Sequence, residues 1–296
     1  MNIKVNYPNK NFFTSTAETW YNYLLSGFQK FYSVSISDYL AKESYSKLNF
    51  QITAIDIELN NKKARVWYDW CDFRKIHLEI KKPGDYYFKI MLLEGYQYVD
   101  KVYPIGQTVS KPKDYFRLLA DLRRQKDTKN YVRDVFFSGR TTNYAIRTKA
   151  VELIKDDTEI NSLVGVQDYT SGSKRPPAPS KLKMASLNYC QFLNECTKSK
   201  ICLALPGVGG DWTWRHTEIL GLGCCLMTLT PLYLLPGNPK DIFITVARDL
   251  RDLTDKIKYF SKHDKEREEI AKRGKEYFEK YLRPEAQAKW IIENIK

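Results

Sequence analysis

The sequence predicts an α/β protein in two parts, the second built on a parallel sheet with helices on both faces. Three observations carry that expectation. The chain has 296 residues, enough for two domains of ordinary size. Strand-like and helix-like stretches alternate through the second half, with helices about as long as a βαβ crossover needs. Between the halves lies KDTKN at 126–130, polar and without an apolar residue, a natural seam. The expected division is therefore a first domain over 1–130, a second over 131–280, and a closing helical segment over 281–296.

Taken in order, apolar spacing predicts a helix over 17–31. FQITAIDIEL at 50–59 is β-branched and alternating, and KKARVWYDW at 62–70 reads as another strand. A third, at 86–92, follows the Pro83-Gly84-Asp85 turn. Residues 101–112 look like irregular connecting chain, and 114–125 like a short amphipathic helix. The second half then reads as strand 132–140, helix 144–155, strand 162–167, a Gly/Pro/Ser-rich loop at 170–180, helix 185–196 and strand 201–205. From 247 onward the chain is helical and strongly charged, with Pro284 placed to start a last helix.

Hydrophobic residues make up 43% of the chain, which excludes a disordered protein. The net charge of +13 favours anionic partners: phosphorylated small molecules, acidic membrane surfaces or polyanions. The basic residues are dispersed, without a long basic arm or a zinc-finger signature, which argues against nucleic acid. None of the six cysteines forms a C-x-x-C pair, so buried thiols in a reducing, cytoplasmic setting fit better than disulfides or a zinc site. The N-terminal MNIKVNYPNKNFF lacks the charge-then-apolar pattern of a secretory signal. Residues 219–239 are uncharged and about as long as a membrane span, but Pro231 and Pro236 would break a spanning helix. Helix end, buried strand and loop is the better parse.

Ligands of open parallel sheets sit beyond the carboxyl ends of the strands. Two loops fall there: Ser138-Gly139-Arg140, and the start of LALPGVGGDWTWRHTEILGLGCCLMT at 203–228. Glycines such as Gly139, Gly209 and Gly210 let backbone approach a ligand, and a helix start presents N–H groups to phosphate. Arg140 and Arg215 suit charge-assisted bonds to a diphosphate. Glu218, one turn beyond Arg215, suits a ribose diol. The same residues also fit plainer roles: glycines for tight turns, surface arginines, an i,i+3 salt bridge. Neither the phosphate loop nor the dinucleotide fingerprint is present.

Arg215, Glu218 and Gly223-Cys224 before a buried strand, with DVFFSGR, KSKICLALPG and the tail IAKRGKEYFEKYLRPEAQAKWIIENI, resemble the second domain of GT-B glycosyltransferases. The exostosin-like and protein O-glucosyltransferase-like branches are the most similar. The resemblance runs from about residue 133 to the end and is weak before it. It implies two Rossmann-like domains with a cleft between them, the first of them short. It implies a nucleotide-sugar donor on the second domain, a glycan, lipid-linked or protein acceptor on the first, no cofactor and no metal. Arg215 would meet the donor phosphates, Glu218 the ribose and Gly139-Arg140 the diphosphate. The final helix would pack back on the first domain, with Trp290 as its anchor.

The second glutamate of retaining group-one enzymes is replaced here by Gly210, which favours inversion. Inversion needs a base. Asp69 and Asp72, after a strand, are the candidates, with Glu94 behind them. Trp212 and Trp214 suit stacking on a base or sugar, or core packing. Tyr169 would flank the nucleobase, and His216 would touch the sugar or lie on a helix surface. Two other classes fit the sequence: a non-catalytic nucleotide-sugar-binding protein, and a basic nucleic-acid-binding Rossmann-like protein. The charge is also in keeping with peripheral docking at an acidic membrane.

Overall fold

The hairpin at 52–69 shapes the first of two compact units. In the computed structural model, residues 3–10, 15–46, 51–71, 75–141, 145–168, 178–207 and 210–296 are described. The first unit comprises Met1–Pro112, Leu232–Pro239 and Glu279–Lys296. It contains β1 (Ile3–Pro8), α1 (Ser15–Phe31), β2 (Ser33–Ser37), α2 (Asp38–Ser46), β3 (Ile52–Leu59), β4 (Lys62–Asp69), β5 (Tyr86–Ile90), β6 (Leu92–Leu93) and β7 (Val102–Ile105). The sheet order is β2-β1-β3-β4-β5-β7.

This sheet is mixed, in keeping with an α/β fold. β3 runs antiparallel to both β1 and β4, while β4, β5 and β7 are parallel. The reason is local. Asn60 and Asn61 adopt φ of 48° and 66°, the left-handed pair that closes a two-residue hairpin. β7 was hidden in the sequence by Pro104. As the strand at the sheet's edge, paired to β5 alone among the described residues, it tolerates a proline that a central strand would not.

The second unit, Lys113–Pro231 and Lys240–Phe278, alternates strand and helix. After α3 (Pro112–Asp127) come β8 (Arg133–Arg140), α4 (Ala145–Asp156), β9 (Ser162–Gln167), α5 (Tyr189–Thr197), β10 (Ser199–Leu203), α6 (Trp214–Leu222) and β11 (Cys225–Leu229). β12 (Tyr233–Leu234) belongs to the first unit, where it pairs with β6. β13 (Ile244–Val246), α7 (Leu253–Lys262) and α8 (Asp264–Tyr277) complete the second unit, and α9 (Pro284–Asn294) lies in the first.

All neighbours in the five-stranded sheet β13-β11-β10-β8-β9 are parallel, as the alternation predicts. Successive residues of β8 serve opposite faces. Val135 and Phe137 join the core under α4 and α7, whereas the ring of Phe136 meets Phe192 of α5 at 5.5 Å. Stretch 219–239 resolves into the end of α6, buried β11 and the chain of β12, and among the described residues no helix is long and apolar enough to cross a membrane.

In the first unit, α9 begins with Pro284 at its first turn and packs on α1, and the indole of Trp290 donates to the Pro104 carbonyl at 2.9 Å. In the second, α6 is seated by close approach. A Cβ on Gly221 would collide with the Tyr115 hydroxyl and lie 2.8 Å from the Phe278 ring. Gly221→Ala is therefore expected to destabilise the protein by roughly 1–3 kcal/mol. Denaturant unfolding checks this, and an unchanged midpoint would mean that α6 has room to spare.

Candidate functional site

The sheet order places β8 and β10 side by side, with the chain leaving β8 for β9 on one side and returning to β10 on the other. That is the topological switch point, where open parallel sheets bind ligands. The β8–β10 ladder ends at Phe136 opposite Cys202. Beyond it, β8 continues along β9 as far as Arg140 opposite Gln167, while the Ala204 amide donates to Met227 of β11. The two chains part here.

Arg147, in the first turn of α4, crosses the gap. Its Nε donates to the Pro206 carbonyl at 2.8 Å, Nη2 to Leu205 at 3.1 Å and Nη1 to Arg140 at 2.9 Å. Burial and the nearby Arg215 charge push its pKa down to about 10, so it remains a cation at neutral pH. Arg215 lies in the first turn of α6, its guanidinium over the Phe192 ring, 3.6 Å from the centroid. Among the described residues no carboxylate pairs with Arg140, Arg147 or Arg215. Sequence reading missed Arg147; its one legible signal was a cation in the first turn of the helix that follows the Ser-Gly-Arg loop.

The glycines prove to have protein partners. A Cβ on Gly139 would lie 2.8 Å from the Phe137 ring and 3.3 Å from Arg147 Nη1. One on Gly207 would lie 3.1 Å from Thr213 Cγ2 and 3.8 Å from Arg147 Nη2. The Gly207 amide also donates to the Gly210 carbonyl at 2.8 Å. Gly209, Tyr169 and Asp72 lie outside the described residues.

The start of α6 is fixed by a buried histidine. His216 Nδ1 accepts from the Thr213 amide at 3.0 Å, and Nε2 stands 2.8 Å from Thr228 Oγ1 of β11. With Nδ1 accepting, the proton sits on Nε2 and is donated to Thr228. The ring of Trp212 stacks on the imidazole at 4.6 Å, and its indole donates to Thr217 at 3.3 Å. Trp212 and His216 are both buried. The expectation that Trp212 faces a ligand, and both expectations for His216, are corrected: the two rings pack on each other and hold the helix start.

Glu218 is buried on the same helix and accepts from the Tyr189 hydroxyl at 2.9 Å. Its main-chain carbonyl takes the Tyr115 hydroxyl at 2.8 Å. Arg215 turns to Phe192 and forms no salt bridge with Glu218. Tyr189, which sequence reading did not single out, opens α5 behind the Asn188 capping box.

In the first unit, Asp69 ends β4 fully buried. It accepts from Tyr87 Oη at 2.5 Å, Lys89 Nζ at 3.3 Å and the Cys71 amide at 2.9 Å, and Lys89 also reaches the Cys71 carbonyl. Burial raises its pKa, opposed by Lys89, Tyr87 and the amide. An enclosed carboxylate with three donors is an anchor for the strand end, with no face open to an acceptor hydroxyl. Glu94 is exposed, in a short 3-10 turn.

Sheet order, switch point and helix start define an α/β protein of the kind that binds ligands at strand ends. Residues 151–293, just under half of the chain, match the family described as glycosyl transferase-like. The chain thus carries a glycosyl transferase-like region, and a glycosyltransferase is supported. No curated protein matches the chain.

Burial drives the His216 pKa down to about 3, against 6.5 for a free histidine. The unfolded chain therefore binds this proton more readily than the folded one. The contribution is complete above pH 6.5 and is lost as pH falls from about 6.5 towards 3, at up to about 1.4 kcal/mol per pH unit. Urea unfolding between about pH 7 and pH 5, above most carboxylate titrations, is expected to show that slope, and His216→Gln to flatten it. Equal slopes would place a protonated imidazole in the native protein.

Proposed function

We propose that this protein is a glycosyltransferase that moves a sugar from a nucleotide-sugar donor to a hydroxyl of a glycan or related acceptor. The observation that carries the reading is the group of arginines at the switch point. Arg140, Arg147 and Arg215 border one sheet edge, no described carboxylate offsets them, and two of them repel each other. A bound diphosphate would relieve that repulsion and take charge-assisted hydrogen bonds.

In glycosyl transfer the developing charge falls on the departing nucleoside diphosphate, where Arg215 and the N-terminus of α6 would stabilise it. Cations from side chains then do the work a divalent ion does elsewhere, so we propose transfer without metal. Glu218, held by Tyr189, is the proposed ribose partner. For the base of an inverting reaction we propose Asp72, which directly follows Cys71, since Asp69 is enclosed. That enclosure is also what favours the second reading, a nucleotide-sugar-binding protein without turnover.

Calorimetric titration with nucleoside diphosphates and nucleotide sugars, in chelator, tests the donor site. Arg215→Ala is expected to weaken binding roughly 10- to 100-fold, the worth of one charge-assisted hydrogen bond. Unchanged affinity would remove Arg215 from the site. Asp72→Asn is expected to abolish donor turnover and leave diphosphate binding intact. Binding without turnover in the wild type would select the second reading.

A further inference from the structure

We infer that Arg147 is the positioning residue of the diphosphate site: it sets the separation between the end of β8 and the chain that follows β10, through backbone carbonyls. This rests on the donor site proposed above and adds a part to it.

The ladder between β8 and β10 stops at Phe136 and Cys202, four residues short of Arg140 and Pro206. Across that gap the described hydrogen-bonded connection is one guanidinium, bonded to Arg140 on one side and to Leu205 and Pro206 on the other, beside a core shared by Phe137, Leu203 and Leu205. The fork geometry matters. A planar group with donors on three nitrogens reaches three carbonyls at once, whereas an ammonium concentrates its donors on one atom.

A Cβ on Gly139, near the end of β8, would lie 3.3 Å from Nη1 and 2.8 Å from the Phe137 ring, whereas one on Gly207 would be in ordinary contact with Nη2 at 3.8 Å. Three of its five donors are thus committed to protein, which orients it as a brace. The brace carries a positive charge without a carboxylate partner, beside Arg215. It therefore favours an anion between the two segments while holding them apart by a set distance.

The brace and a direct ligand contact respond differently to Arg147→Lys. Lysine keeps the charge and loses the fork. If Arg147 is a brace, Arg147→Lys and Arg147→Met both lower donor turnover by about 100-fold, the scale of an ångström-sized misplacement. Both also speed hydrogen exchange at 138–141, 205–207 and 210–213, leaving the rest of the sheet as protected as in the wild type. If Arg147 acts by charge alone, Arg147→Lys restores turnover and exchange is unchanged, which overturns the inference. Lost turnover with unchanged exchange overturns it too, since Arg147 would then touch the ligand. Exchange is read without ligand. If the wild type binds no nucleotide, the donor-site reading fails, and faster exchange at these residues in Arg147→Lys still tells whether the brace exists.

Discussion

The parallel sheet opens between β8 and β10 because the chain departs to one side after the first strand and returns on the other. Between β8 and β10 strand pairing supplies no hydrogen bonds past Phe136 and Cys202, although β8 stays paired to β9 as far as Arg140, so a hydrogen-bonded link across the gap has to come from elsewhere. Arg147 provides it with three charge-assisted bonds to carbonyls, each of them at the distance of a good N–H···O contact. Arg147 and Arg215 also gather positive charge at one edge.

The two units treat buried charge in opposite ways. In the first, Asp69 and Lys89 neutralise each other, and Tyr87 and the Cys71 backbone take up the remaining bonding capacity. Neither ion is left uncompensated, and removing either partner would strand the other as a buried charge. In the second, the arginines at the switch point are satisfied by carbonyls and an aromatic face, and their charge is left unmatched. Holding cations this close carries a cost, and the Arg147 pKa is lowered accordingly. The glycosyl transferase-like match over 151–293 includes Arg215, and Arg140 and Arg147 precede it.

Rigidity around the site comes from α6. Its first turn is locked by His216, which bonds Thr213 in its own helix start and Thr228 in β11. Neutral imidazole can do both at once because one ring nitrogen accepts while the other donates. Trp212 shields that pair from water, and Tyr115 fills the space that Gly221 leaves open. The helix start is therefore held in place by groups of the chain itself.

Sequence alone determined the alternation of the second unit, because hydrophobic period and loop residues are local properties. β9 appears at the residues its pattern predicts, and β8 and α4 differ from expectation only at their ends. Arg215 and Glu218 were legible as charged residues on a helix start, since their spacing is also local. What only the tertiary structure decided is which neighbours each group meets. Gly139 makes room for Arg147, Trp212 and His216 pack on each other, and Asp69 is enclosed by Lys89, which lies 20 residues further along the chain. The mixed first sheet turned on Asn60 and Asn61, two residues whose left-handed conformation no periodicity announces. Burial and partnership depend on chain segments brought together by folding, and no spacing along one segment can encode them.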